Sequence, residues 1–333
     1  MKRLLIAALA APALLVGLGG FAKPEKVALK TTRAAGAACD RGCLEGFVDR
    51  YLEAMAANDP SRVTLSPHLK LTENGAILTP GDGLWRTATG LGSYRFKFTD
   101  PQTHQAGAVA VVLENGVEQL VGLRLKVESR QITEAEMIVA RKGEGQTLVT
   151  DSLKEPLPEL LTAVPAAKRS SRAELVDIAD KYFTAIEKGD GSIVPFDPDG
   201  YRIENGIRTC NDPGPIVSTG GASQQFPNLR KMHCADQLST KIFTYIHDIR
   251  PRRFPVADVE RGLVAGIVRF NHPGRPTSVD VPNYGKLDYM GNQWARNPTS
   301  AFIYEVFKVE DHHVTRVMAV IVKGPYKGAT GWE

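Results

Sequence analysis

The chain has 333 residues, of which 43% are hydrophobic and 23% charged, with a formal net charge of +4. That much apolar material supports ordinary globular cores and excludes disordered, collagen-like and low-complexity classes, and the length predicts two domains rather than one. A near-neutral balance leaves no electrostatic footprint for nucleic acid, and the one basic cluster, Arg250 with Arg252 and Arg253, is too small to make one.

Residues 1–22 read as a secretory signal peptide: Lys2 and Arg3, an apolar run from Leu4 to Leu18, then Gly20-Phe21-Ala22 as a small-x-small cleavage pattern. Pro12 and Gly17 interrupt the run, which is short for a membrane span, and no cysteine follows it before Cys39, against a lipid anchor. Loss of Lys2 and Arg3 leaves 39 basic against 37 acidic side chains. The mature chain is therefore expected to be periplasmic or secreted, with no membrane attachment after cleavage. Its four cysteines then meet an oxidising compartment, where three pairings are open. Cys39 and Cys43 stand four residues apart just ahead of a helix, so a bridge between them requires the helix to begin after Cys43.

Leu44, Phe47, Val48, Tyr51, Leu52 and Met55 recur at helical spacing, and Asn58-Asp59-Pro60 ends the helix. Strands are predicted at Leu69–Glu73, Tyr94–Phe98, Ala108–Leu113 and Leu120–Val127, closing a first unit over 39–141. Residues 142–172, rich in Pro, Gly, Ser and charge, read as a linker. A second unit over 173–332 opens on Leu175, Ile178, Ala179, Tyr182, Phe183 and Ile186, again at helical spacing, and Gly189-Asp190-Gly191 stops this helix. Cys210 and Cys234 bracket a Pro/Gly/Ser-rich loop, and a bridge there would stabilise the fold by roughly 3.5 kcal/mol on the chain-entropy account. Strands follow at Ile242–Ile249, Leu263–Phe270, Phe302–Val309 and Val314–Val322.

The two units are copies. Residues 47–75 align without a gap on 178–206 at an offset of 131, with ten of 29 positions identical, among them Asp49/Asp180, Tyr51/Tyr182, Asp59/Asp190 and two Glu-Asn-Gly triplets. The run KVESRQITEAEMIVAR from Lys126 matches KVEDHHVTRVMAVIVK from Lys308 at an offset of 182, so the second copy carries about fifty inserted residues. One helix followed by a long meander is an α+β unit whose antiparallel sheet must curl around the helix to bury both.

These pieces, with CDRGCLEGFVDRYL at Cys39–Leu52, TENG at Thr72–Gly75, GDGLW at Gly81–Trp85 and the second ENG at Glu204–Gly206, resemble the nuclear transport factor 2-like (SnoaL-like) superfamily, in particular a tandem branch found in secreted proteins. The resemblance covers about Cys39 to Trp332. It implies two tandem cone-shaped units, each an N-terminal helix on a curled antiparallel sheet around an apolar pocket. Such pockets serve isomerases, dehydratases, epoxide hydrolases, cyclases and a lyase, and also transport and association domains, so the fold alone does not choose among them.

Comparison of the copies locates the chemistry. The offset of 182 maps the apolar face Val121, Leu123, Leu125, Val127 onto Ile303, Glu305, Phe307, Val309. A carboxyl on that face should have a raised pKa suited to proton transfer; the alternative is a core glutamate paired with Arg208 or Arg269. On the strand read at Ile242–Ile249, Tyr245 and His247 share a side, and with Tyr94 matched to Tyr245, His247 takes the place of Phe96. Glu305, His247 and Tyr245 are thus the predicted catalytic group: proton carrier, partner base and oxyanion donor. His272, either a turn residue or one at a pocket mouth, and Asp258 and Arg253, either a solvated loop ion pair or a hold on an anionic group, are the substrate-binding candidates. The repetition of Glu73 and Glu204 is explained by the Asn-Gly hairpin turn after each. Trp85 reads as core, and His312 and His313 as an exposed turn. No phosphate loop, nucleophile elbow or H-E-x-x-H is present, and the cysteine spacings fit no common zinc site, so neither cofactor nor metal is expected. The expected partner is a small apolar or aromatic molecule. The oligomeric state is either a monomer whose two copies pair inside one chain or a homodimer.

Overall fold

The computed structural model describes residues 39–144, 147–215, 227–290 and 295–333; the signal-peptide reading at 1–22 lies outside them. Helix α1 (Arg41–Ala56) buries Leu44, Phe47, Val48, Tyr51, Leu52 and Met55 along one stripe, and Asp40 caps it by accepting the Cys43 amide at 2.9 Å. The helix therefore begins before Cys43, contrary to the sequence expectation. Cys39 lies outside the helix, ahead of the cap, which brings the two Cα atoms to 5.2 Å and allows the Cys39–Cys43 bridge. Cys210–Cys234 is the second bridge, and no cysteine is free.

The first unit continues as β1 (Leu65–Glu73), β2 (Ala76–Leu78), the one-turn helix α2 (Leu84–Thr87), β3 (Ala88–Asp100), β4 (Gln105–Glu114), β5 (Val117–Glu128) and β6 (Gln131–Ala140). A short helix α3 (Pro158–Leu161) precedes the second unit. That unit has α4 (Arg172–Lys188), β7 (Phe196–Glu204), β8 (Ile207–Cys210), α5 (Cys234–Ser239), β9 (Asp248–Asp258), β10 (Leu263–Pro273), β11 (Ser278–Val281), β12 (Gly285–Asp288), β13 (Pro298–Glu310) and β14 (His313–Gly324). Helix α4 starts on Ser171, which accepts the Glu174 amide, and ends on Gly189 in the left-handed region.

The strands build two six-stranded sheets of matching order, β2-β1-β6-β5-β4-β3 and β8-β7-β14-β13-β10-β9, plus the hairpin β11-β12. The fold is α+β in two tandem units, each sheet carrying its own helix. The sheets are not wholly antiparallel, because β1 runs parallel to β6 and β7 parallel to β14: the strand after each helix returns beside the last strand of its meander. Register reproduces the sequence offsets. Leu71 faces Ala135 and Glu73 faces Met137, as Arg202 faces Val317 and Glu204 faces Ala319. Asn74 exchanges two hydrogen bonds with the Val139 backbone (3.1 and 2.7 Å), and Asn205 does the same with Ile321 (2.9 and 2.8 Å). The repeated Glu-Asn-Gly is thus both a tight turn and a tie to the next strand.

Each sheet has two buried faces. One packs on its own helix, giving a first core around Tyr51 and a second around Tyr182 and Phe183. The other faces meet each other in a third core of Tyr94, Phe96, Phe98 and Val109 against Val256, Ile267, Phe302 and Tyr304. The residues of 142–172 are more than a linker: Leu148, Leu153 and Leu160 are buried in that shared core, and the Val164 amide donates to Glu260 O at 2.9 Å. The chain end closes back on the first unit, where Trp332 Nε1 donates to Thr72 at 2.8 Å. The two copies form one compact body.

Candidate functional site

Glu305 sits on β13 between Ile303 and Phe307, on the face packed against α4, and is 2% exposed. Its strand partners are Gly266 and Ala319, where the first copy sets Leu123 between Ala108 and Met137. The Leu-to-Glu replacement read from sequence is therefore a true structural equivalence. A second replacement accompanies it, since Arg202 occupies the place of Leu71 and is equally buried. In the first copy the space around Tyr51 is filled by Met137 and by Trp85, whose Nε1 donates to the Tyr51 hydroxyl at 3.0 Å. In the second copy Met137 becomes Ala319, and Tyr182 meets charge instead of grease.

Arg202 organises this region. Its guanidinium donates to Gln237 at 2.5 Å, Thr209 at 2.9 Å and the Tyr182 hydroxyl at 3.3 Å, and pairs with Glu204 at 2.7 Å. Tyr182 and Arg202 both act on Glu305 in favour of its charged form. Burial raises the Glu305 pKa, the Glu204 charge adds to this, and Arg202 and Tyr182 only partly oppose it, leaving a value of about 8. Glu305 is thus mostly protonated at neutral pH. Burial also works against the charge of Arg202, but Glu204, Tyr182 and Glu305 more than offset it and its pKa is raised. The expected alternative partners of Glu305 are elsewhere: Arg208 stacks on Tyr201, and Arg269 bonds Asn271 and Gly328 O.

The strand expected at Ile242–Ile249 does not form. Residues 241–246 are turns, closed by Thr244 N to Lys241 O and Ile246 N to Phe243 O, and β9 starts only at Asp248. The alternation that placed Tyr245 and His247 on one side is therefore void. His247 is exposed, and its backbone amide donates to Asn271 O at 2.8 Å. Nor does His247 replace Phe96: Phe96 lies opposite Val109, and Ile267, the counterpart of Val109, lies opposite Arg253, so Arg253 takes the place of Phe96. Tyr245 is different. Its ring is half-buried, burial raises its pKa, and the charges of Glu204 and Arg202 act on it, so it shares the neighbourhood of the buried polar group by a route the sequence reading did not foresee.

His272 lies within β10, 4% exposed, not in a turn. Its ring meets Tyr245 edge to face at 5.6 Å, and Tyr245 meets Tyr289 at 5.2 Å. Burial, with the charge of Lys323 adding to it, depresses the His272 pKa to about 4. Asp258 and Arg253 each pair with a residue of the first unit. Asp258, 1% exposed and the last residue of β9, takes a two-pronged pair from Arg41 of α1 at 2.7 Å each and accepts the Thr99 amide at 3.1 Å. Arg253 pairs with Glu136 of the first sheet and lines a void of about 10 Å³ beside Phe302 and Thr330, room for about one water.

Of the buried polar group around Tyr182, sequence reasoning named Glu305 as a site residue but not Arg202, Tyr182 or Gln237. Arg202 was within reach, because the offset of 131 that pairs the two helices also sets Arg202 against Leu71. Gln237 was not, since it belongs to the insert and has no counterpart.

A family model described as a domain of unknown function (DUF8021) matches residues 168–321, which spans α4 to β14 and so the second unit with its buried polar group. No curated protein matches the chain.

Proposed function

We propose that the second unit is the working half of a periplasmic or secreted protein, binding a small apolar or aromatic molecule and moving a proton at Glu305 without a cofactor. The observation that carries this reading is the paired replacement of Leu71 and Leu123 by Arg202 and Glu305 at equivalent buried positions. A core under selection for stability alone keeps the apolar pair, as the first copy does, because burying ionisable groups costs several kcal/mol each. Both disulfides agree with an oxidising compartment. The resemblance to nuclear transport factor 2-like proteins supports a ligand inside the curl of the second sheet.

Held as the acid at neutral pH, Glu305 donates its proton to a substrate carbonyl oxygen, and its conjugate base then takes a proton from the adjacent carbon, which gives the enol and restores the acid. The carboxylate formed in between is steadied by the Tyr182 hydroxyl and by the field of Arg202, which lowers the cost of the charge that develops. Isomerisation, dehydration, hydrolysis and lyase steps all use such an exchange. Tyr182 and Arg202 act through Glu305 as positioning residues, and Tyr245 stands beside the substrate. Binding without turnover is the second reading; the saturation of Arg202 by Glu204, Gln237, Thr209 and Tyr182 favours it, because a fully satisfied guanidinium serves as structure.

Solvent exchange at activated C–H bonds separates the two. A panel of cyclic and aryl ketones in D2O should show deuterium uptake catalysed by the parent chain and reduced at least about 100-fold in Glu305→Gln, at unchanged circular dichroism. Equal uptake by parent and variant would end the proton-transfer role.

A further inference from the structure

The insert that distinguishes the second unit has a small core of its own, made of Leu229, Ile242, Val281, Leu287, Tyr289 and Ala295. Phe243 and Tyr245 pack both on this core and on the core of the unit, so they form the seam between them. On the β10 side of the seam stands His272. The Gly274 amide donates to its Nδ1 at 3.3 Å, so Nδ1 is the acceptor nitrogen and the proton of the neutral ring is on Nε2. Nε2 is buried and has no hydrogen-bond partner among the described residues. A buried donor left unpaired is costly, and the ring around it is aromatic rather than polar.

We propose that His272 and Tyr245 form a subsite for a planar aryl group carrying a carbonyl-type oxygen: His272 Nε2–H donates to the oxygen while the aryl ring packs against Tyr245. This rests on the ligand-binding reading of the second unit and adds the class of ligand. The neutral ring makes His272 a donor of fixed direction, since it stays unprotonated down to about pH 4. The charge of Lys323 on β14, which acts on His272, favours an electron-rich oxygen there, and that oxygen belongs either to an aryl ketone or to an aryl carboxylate. Tyr245 and Tyr289, already set edge to face, extend the aromatic wall that an aryl ring joins at small entropic cost.

The test uses acetophenone, benzoate and ethylbenzene, the last with the shape of acetophenone but no oxygen, titrated into the full mature chain and followed by NMR. Acetophenone or benzoate should bind at least about tenfold more tightly than ethylbenzene, the worth of one desolvated hydrogen bond, and which of the two prevails tells ketone from carboxylate. In His272→Phe the preference should fall to within about twofold while ethylbenzene affinity holds. A parent with no preference, a variant that keeps it, or no binding of any probe overturns the proposal. Should His272→Phe fail to fold, the ¹⁵N spectrum of the parent decides: the subsite needs the proton on Nε2 and a shift of that signal with acetophenone, and a proton on Nδ1 rejects it. Glu305→Gln should retain the preference, so loss of the proton-transfer role and loss of this subsite are seen separately.

Discussion

Glu305 and His272 pull the pH dependence of stability in opposite directions. Glu305 has a folded pKa of about 8 against an ordinary value of 4.5, so the folded chain keeps a proton that the unfolded chain has released. Its contribution is complete below pH 4.5 and is lost as pH rises toward 8, at about 1.4 kcal/mol per unit. His272, depressed from 6.5 to about 4, contributes stability above pH 6.5 that is lost as pH falls toward 4. Of the two, only Glu305 acts between pH 6.5 and 8. Urea midpoints across that window should decline for the parent, whereas Glu305→Gln should remove this decline and be more stable at pH 8 by on the order of 2–4 kcal/mol. A parent and variant with parallel profiles would show that Glu305 is already ionised in the fold. The candidate acid was legible in the sequence because the duplication supplies an apolar reference at Leu123. The rest of the polar group was not, because Gln237, which binds Arg202, and Tyr245, which lies in the field of Arg202 and Glu204, belong to an insert with no reference copy.

At the scale of elements, the interface between sheets depends on two glycines in the first unit. Tyr304 of β13 crosses to the first sheet and donates to Leu123 O at 2.9 Å. A Cβ at Gly122 would stand 2.5 Å from Tyr304 Cγ, and one at Gly107 would stand 2.5 Å from its hydroxyl. Strands β4 and β5 therefore need these glycines not for backbone freedom but for the room a tyrosine takes. Gly122→Ala is expected to cost about 2 kcal/mol, and Gly122→Ala with Tyr304→Phe to recover none of it, because the clash is with the ring. Thermal melts of the single and double variants check this, and an unchanged melting point in Gly122→Ala would mean the sheets separate readily there. Periodicity alone found both long helices and seven of the fourteen strands among the described residues. It erred at 242–249, where alternating apolar residues reflect a turn that shares its side chains between two cores.

The whole molecule is held by contacts that join its copies at several places: Arg41 with Asp258, Glu136 with Arg253, Asp100 with Arg172, and Trp332 on Thr72. Arg41→Ala leaves the buried Asp258 carboxylate without its cation and should destabilise the chain by about 3 kcal/mol in a single transition; Asp258→Asn with Arg41→Ala should restore part of that loss. Two separate unfolding transitions in the parent would contradict the single body described above. One face of each sheet is covered by the other copy's sheet, so the two copies share a core. By itself the sequence determined the duplication, the two long helices with their stop signals, the repeated turns and the acid on an apolar face, because each of these is written in local spacing or in the comparison of two copies. Only the tertiary structure decided that Asp258 and Arg253 are ties between units, that His247 faces outward and that His272 is buried against Tyr245, because those facts depend on which distant surfaces are brought together when two buried sheet faces must cover each other.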